Sequence, residues 1–406
     1  MTTKTYGILS LPVIVGALGY FVDIYDLLLF GIVRRQSLMD LGLQGEQLAT
    51  VGEMIISVQM AGLLIGGIIW GVMGDKRGRL SVLFGSIILY SLANIANGMV
   101  TTTDQYALVR FIAGIGLAGE LGAGITLIAE LLPKEKRGIG TSFVAGLGLT
   151  GAVAAYFVSQ SFDWRVCYYI GGGMGLLLLL LRVSVFESTM FHEVKKLDVK
   201  RGNFLMFFNN RERAKKYFIS ILIGLPTWYV IGVLVTFSDK FGEAFKLQDA
   251  IAPGKAIMFA YIGISIGDIV IGFVSHWLRS RKKALYVFYA LTALFIVLFF
   301  LQDGGSSSTM YAICAGLGFA TGFWAIFVTM AAEQFGTNLR ATAATTVPNM
   351  VRGALPLMIL LFQWLRTFMP YATAGWITGL VIMVITVFAA AAAQETYGKD
   401  LAYVEH

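Results

Sequence analysis

The sequence predicts an all-α membrane protein with twelve transmembrane helices in two pseudo-symmetric six-helix bundles. Three observations lead there: twelve apolar runs of spanning length, a basic segment that parts them six and six, and short motifs that recur at nearly constant spacing. Of the 406 residues, 57% are hydrophobic and only 14% charged, with a mean hydropathy of +0.74. A soluble domain is about a quarter charged, so so few charges over so long a chain point to a polytopic membrane protein.

A helix crossing the hydrocarbon core needs about 20 residues at 1.5 Å each. The first run, 7–33, follows a short polar start and is long enough to span, so it reads as a membrane helix and not a cleavable leader. Runs 50–74 and 80–100 flank a loop carrying Lys76, Arg77 and Arg79. Run 105–131 contains Arg110 and Glu120; run 139–161 follows Lys134, Lys136 and Arg137; run 165–186 ends beside Arg182, close enough to the boundary to snorkel. Residues 187–216 are rich in Lys and Arg and form the predicted linker between a first bundle, 1–186, and a second, 217–394. The second bundle repeats the plan with runs 217–238, 252–277, 284–302, 309–334, 341–369 and 372–394, ahead of a tail, 395–406. Lys and Arg gather in alternate loops, and the positive-inside rule then expects both termini in the cytoplasm of a cell (inner) membrane protein. The net charge of +7 is therefore a topology signal, and no nucleic acid is expected as a partner.

The repeat is specific. Gly62, Gly66 and Gly71 correspond to Gly263, Gly267 and Gly272; Gly114-Ile-Gly-Leu-Ala118 corresponds to Gly316-Leu-Gly-Phe-Ala320; Glu130 with Arg137 corresponds to Glu333 with Arg340. Glycine alone would recur for helix packing, but the shared Glu-to-Arg spacing would not. Two like-oriented halves enclose a site near the midplane, where rocking gives alternating access.

The stretch Gly71-Val-Met-Gly-Asp75-Lys-Arg-Gly-Arg79 resembles the signature loop of the major facilitator superfamily. Arg110…Gly114-Ile-Gly116-Leu-Ala-Gly119-Glu120 with Ala129-Glu130-Leu-Leu-Pro133…Arg137-Gly138, and Glu333-Gln-Phe335-Gly-Thr337…Arg340-Ala-Thr, are similar to the metabolite:proton symporters. Asp23-Ile-Tyr25-Asp26 is similar to the first-span Asp-x-x-Asp of the aromatic-acid and phosphate proton symporters. The resemblance implies the major facilitator fold, with Asp75, Arg79, Glu130, Arg137, Glu333 and Arg340 in a gate. His276 stands where the first half has Asp75, so the second gate is expected to be weaker.

Charges inside spans are costly and are retained for ion, proton or substrate handling, or are paired. Asp23 and Asp26, three residues apart, read as proton carriers or as partners of Arg110. Glu120, between Gly119 and Gly122, and Asp268, whose repeat partner is Gly67, are further proton-coupling candidates. Arg352, with Asn349 one turn away and Pro348 and Gly353 loosening the helix, suits an anionic group, as does Arg110. Tyr25, Gln59, Trp228 and Trp324 are candidate substrate contacts; Glu53, Tyr229, Tyr261 and Gln363 are weaker ones.

Exclusions sharpen the reading. Cys167 and Cys314 lie in apolar runs and fit neither a disulfide framework nor zinc. His192, His276 and His406 do not cluster, no phosphate-binding G-x-x-x-x-G-K occurs, and no nucleophile–base set suggests an enzyme. No cofactor is expected. The expectation is a monomeric secondary transporter in the lipid bilayer, coupling protons to a small anionic metabolite. Two alternatives stand on the same residues: a transporter of zwitterions or cations that uses the aspartates as ligands, or a uniporter or exporter of this fold.

Overall fold

The computed structural model describes residues 7–45, 47–133, 136–182, 202–400 and 403–405. The linker's first part, 187–201, with His192 and His406, lies outside the described residues, as does the side chain of Glu53. Among the described residues, twelve helices are long and apolar enough to cross a membrane: Leu11–Asp40, Met54–Arg77, Arg79–Asn97, Thr103–Leu131, Arg137–Ser161 and Trp164–Leu181 in the first half, then Arg211–Val235, Pro253–Trp277, Arg281–Phe300, Ser307–Glu333, Arg340–Arg366 and Tyr371–Ala392. They are called spans one to twelve. The chain is a multi-pass, all-helical membrane protein of two six-helix bundles.

The two largest boundary differences from the sequence reading have one reason: hydropathy reports where apolar surface ends, not where hydrogen bonding ends. Span one continues past Val33 to Asp40, because no glycine or proline stops it before Gly42, so Arg34 and Arg35 lie on helix and not in a loop. Span seven starts at Arg211, where Asn210 accepts from the Glu212 N–H at 2.8 Å as a side-chain cap.

Several spans are broken. Span four runs Thr103–Leu117 then Glu120–Leu131, and span ten Ser307–Ala320 then Trp324–Glu333. Span eleven breaks at Ala354, directly after Gly353. In span seven, Pro226 removes a backbone donor, and the helix widens to a π-turn over Val230–Val235.

The repeat reappears as geometry. A Cβ on Gly62 or Gly66 would strike the carbonyl oxygens of Phe111 or Ile115 in span four. One on Gly263 or Gly267 would strike those of Ala315 or Phe319 in span ten. Each half therefore packs its second helix backbone-to-backbone on its fourth, the close approach that small residues permit. The halves meet through spans two and eleven, where Gly71 touches Thr342, and through spans five and eight, where Gly146 touches Ile269.

Gly66→Leu and Gly267→Leu should each destabilise the protein by about 1–3 kcal/mol through overpacking, whereas Gly173→Leu, facing open space, should not. Thermal melting in detergent checks this; equal melting of all three variants would contradict the packing argument.

Candidate functional site

A break in a spanning helix leaves backbone N–H and C=O groups without intrahelical partners, and charge of matching sign is stabilised there. Three intramembrane charges sit at such breaks. Glu120 opens the segment Glu120–Leu131. Asp268 in span eight accepts the Ala325 N–H at 3.0 Å, at the start of Trp324–Glu333. Arg352 occupies the last turn of Arg340–Gly353. Each half thus brings a carboxylate to the N-terminal end of the same broken helix, from within it in the first half and from a neighbour in the second. Glu120 also accepts from Ser86 at 3.4 Å, inside the first bundle. These bonds hold the breaks in place.

Arg352 lies where the halves meet. Its guanidinium donates to Asn349 Oδ1 at 3.1 Å, and Asn349 in turn donates to the Ala118 carbonyl of the first bundle at 3.0 Å. Trp228 and Trp324, at 6.5 Å from each other, flank the guanidinium at 6.0 and 5.8 Å. Arg352 Nε has no hydrogen-bond partner among the described residues, and the side chain is 3% exposed. Tyr20 feels the charges of Arg352, Asp23 and Asp268, and Tyr261 that of Arg352.

Asp26 is elsewhere. Three residues advance a helix by about 300°, so successive groups at Tyr20, Asp23 and Asp26 turn progressively away from a common line. Asp23 lies within electrostatic range of both Tyr20 and Asp26, and Asp26 faces into the first bundle, its Oδ1 against Gly171 of span six. Arg110 donates to the Asp26 backbone carbonyl at 3.1 Å and reaches Asn94 Oδ1 at 3.5 Å. Both Asp26 carboxylate oxygens lack a hydrogen bond of good geometry among the described residues. Tyr25 donates to the Cys167 carbonyl at 3.0 Å, and Gln59 to that of Leu27 at 3.2 Å, so both tie helices of the first bundle together.

At the end of the molecule that carries the tail, the bundles are joined by buried charge. Asp75 accepts the Ala341 and Thr342 N–H groups at 3.0 and 2.9 Å and the Thr342 hydroxyl at 2.7 Å, capping span eleven from the other bundle. Arg79 lies 3.4 Å from Asp75 and 2.9 Å from Glu130. Arg340 of the second bundle reaches the same Glu130 oxygen at 3.0 Å. The second half has its own pair, Arg281–Glu333 at 3.0 Å.

The sequence reading puts Glu130, Arg137, Glu333 and Arg340 in one charge network without assigning pairs, and the structure supplies the pairing. The chain leaves the helix extended at Leu132 and restarts at Arg137, so Arg137 does not fold back on Glu130. It donates instead to the Lys399 carbonyl in the tail at 3.3 Å. Arg281 escaped notice as a partner, although the repeat that relates Glu130 to Glu333 also relates Arg79 to it. The tail was missed as well, having no apolar or motif signal. Tyr403 accepts the Thr337 N–H at 2.8 Å and donates its hydroxyl to the Gln334 carbonyl at 2.8 Å. Asn338 exchanges two bonds with the Glu405 backbone, at 2.9 and 2.8 Å. Burial alone would raise the Glu395 carboxyl, but donation from Ser280 and from the Tyr397, Arg281 and Thr396 N–H groups holds it below its usual range.

At the opposite end a cavity of about 740 Å³ is lined by Arg34 of span one and by Asp239, Lys240, Gln363, Arg366 and Tyr371 of the second bundle. Its lining includes Ile359, on the segment of span eleven that follows the break after Arg352. Arg352 is thus buried between an open cavity and a closed charge network.

The chain matches a family model described as Major Facilitator Superfamily over residues 16–359. It is 27% identical over 345 residues to the sialic acid transporter NanX of Escherichia coli (strain K12), covering 82% of this chain and 81% of that protein. It is 26% identical over 389 residues to the niacin transporter NiaP of Acinetobacter baylyi, covering 86% of each. Its fold is similar to that of the proton:xylose symporter XylE bound to 6-bromo-6-deoxy-D-glucose, with a TM-score of 0.76 over 97% of both chains at 18% identity.

Ending the chain before Glu395 should speed amide exchange at Thr337 by about tenfold, the equivalent of one lost hydrogen bond, and leave span six unaffected. Unchanged protection of Thr337 in hydrogen-exchange mass spectrometry would show that the tail does not hold this end.

Proposed function

The chain belongs to the major facilitator superfamily, as a transporter of small metabolites, and on that premise we propose that it couples inward proton movement to uptake of a small carboxylate-bearing metabolite. The observation that carries this reading is Arg352: a desolvated guanidinium at the junction of the bundles, aligned by Asn349 and walled by two indoles. A planar guanidinium with a free edge grips a carboxylate bidentately, and flat indole walls favour a flat or ring-bearing ligand. Sialic acid and niacin, named in two relatives, both carry a carboxylate. The same indoles already face a cation, which disfavours a cationic substrate.

In this account Arg352, Asn349, Trp228, Trp324 and Tyr261 bind substrate, with Asp23 beside them. Asp26 carries the proton, since it lies next to Arg110 and its carboxylate oxygens make no hydrogen bond of good geometry among the described residues. Glu120 and Asp268 hold the helix breaks. Charging and discharging Asp26 alters its attraction to Arg110 and through span one the position of Tyr20 and Asp23, which gives the reciprocal coupling that symport requires. Asp75, Arg79, Glu130, Arg340, Arg281 and Glu333 form the gate at the cytoplasmic face, with both termini on that side of a cell membrane and the 740 Å³ cavity open to the outside. The working unit is a single chain.

The test uses reconstituted protein with labelled niacin and sialic acid as probes. The account predicts accumulation of at least one of them under an inward proton gradient. Arg352→Ala should weaken binding about 10- to 100-fold, the worth of a charge-assisted hydrogen-bonded pair. Asp26→Asn should abolish accumulation while sparing exchange. Full accumulation by Asp26→Asn would overturn the proton assignment, and unaltered binding by Arg352→Ala would overturn the carboxylate site.

A further inference from the structure

Spans one, three, four and six enclose a polar core within the first bundle, away from the Arg352 cluster. Asp26, Arg110, Asn94 and Asn97 lie in it, each at most 1% exposed. Arg110 Nε and Asn97 Oδ1 are without hydrogen-bond partners among the described residues, and the Asp26 carboxylate is approached only by the Asn94 amide, at poor geometry. Orphaned polar atoms at this density are costly and call for a purpose.

From this core a row of buried hydroxyls leads outward. Tyr168 and Tyr106 share a hydrogen bond of 2.7 Å, Tyr106 donates to Ser37 Oγ at 3.3 Å, and Ser37 donates to the Arg34 carbonyl at 3.1 Å. All three hydroxyl residues are fully buried, yet Arg34 lines the open cavity. At the inner end, the Arg110 guanidinium lies 5.7 Å from the Tyr168 ring centre. Gly171, one turn along span six from Tyr168, receives Asp26 Oδ1 against its Cα. The row is held stiffly: the Tyr106 ring is 5.1 Å from Phe30 and 5.8 Å from Trp164, and Trp164 donates to Asp40 at 3.2 Å.

We propose that Ser37, Tyr106 and Tyr168 form a proton path between the Arg34 cavity and Asp26. It rests on the reading of Asp26 as the proton carrier and extends it by naming the route. As seen, the Ser37 and Tyr106 hydroxyls donate outward, to the Arg34 carbonyl and to Ser37. Once both have turned inward, a proton accepted by the Ser37 oxygen releases the Ser37 hydroxyl hydrogen to Tyr106, and Tyr106 passes its own to Tyr168. Tyr168 releases one proton to the carboxylate, directly or through one water molecule, and Asp26 becomes a neutral acid. One proton enters and one is bound, with no change of oxidation state; the hydroxyls then reorient for the next transfer. The ionisable groups facing Asp26 are Arg110 from span four and Tyr168 from span six, with Asp23 and Tyr25 on its own helix. Only Tyr168 among them leads toward the cavity.

The experiment needs no substrate. Infrared difference spectra of the full-length protein after a rapid pH drop report the carboxylic-acid C=O stretch of Asp26, identified by its absence in Asp26→Asn. Tyr106→Phe and Tyr168→Phe should retain the band at equilibrium but slow its appearance by about tenfold or more, the scale of a lost proton-transfer group. Ser37→Ala, a smaller change at the far end, should slow it also and serves if a tyrosine variant fails to fold. An unchanged rate in the folded variants would overturn the path and leave the role of Asp26 standing. Absence of the band from the unmodified protein would overturn both.

Discussion

One oxygen atom of Glu130 accepts guanidinium donors from both halves of the molecule, Arg79 at 2.9 Å and Arg340 at 3.0 Å. All three side chains are fully buried; Arg340 is compensated by this carboxylate, and Arg79 by it together with Asp75 at 3.4 Å. A buried charge stripped of its partner costs about 3–5 kcal/mol. The halves therefore stay together at this end while the network is complete and have a strong reason to part when it is not. Asp75 adds the second tie, capping span eleven across the junction. The tail adds a third layer, bonding Thr337 and Asn338 of the turn that leads into Arg340.

The membrane explains why the remaining buried charges sit where they do. Hydrocarbon offers nothing to a broken helix, so each break must be satisfied by protein. Glu120 and Asp268 lie at positive helix ends and Arg352 near a negative one. The breaks place these charges at the level where the bundles meet, and the pre-formed helix ends reduce the cost of burying them. Asp26 is different: it serves no helix end, and among the described residues its carboxylate oxygens make no hydrogen bond of good geometry in a polar core within one bundle.

Much of this was legible in the sequence because periodicity and composition carry it. The twelve spans, the two halves and the glycine contacts follow from apolar runs and repeated motifs. The motif Asp75…Arg79 and Glu130 meet in one buried network, as their shared place in the repeat suggested. What was not legible depends on tertiary geometry. The crosswise pairing of Glu130 with Arg340 is decided by how the chain turns after Leu132. The different surroundings of Asp23 and Asp26 come from a few tens of degrees of helix rotation. Asp268 acts as a cap because span ten breaks beside it, and Asp268 itself gives no sign of that break. The hydroxyls of Tyr106 and Tyr168 look like ordinary interfacial aromatics until their 2.7 Å contact is seen.

The central claim is that Glu130 holds the bundles together at the tail end. Spin labels at Arg77→Cys and Lys283→Cys, one on each bundle, with Cys167 and Cys314 replaced, report the separation there by pulsed electron resonance. The account predicts one short distance in the parent protein and a second, longer population when Glu130→Gln is introduced. An identical single short distance with and without Glu130→Gln would contradict it.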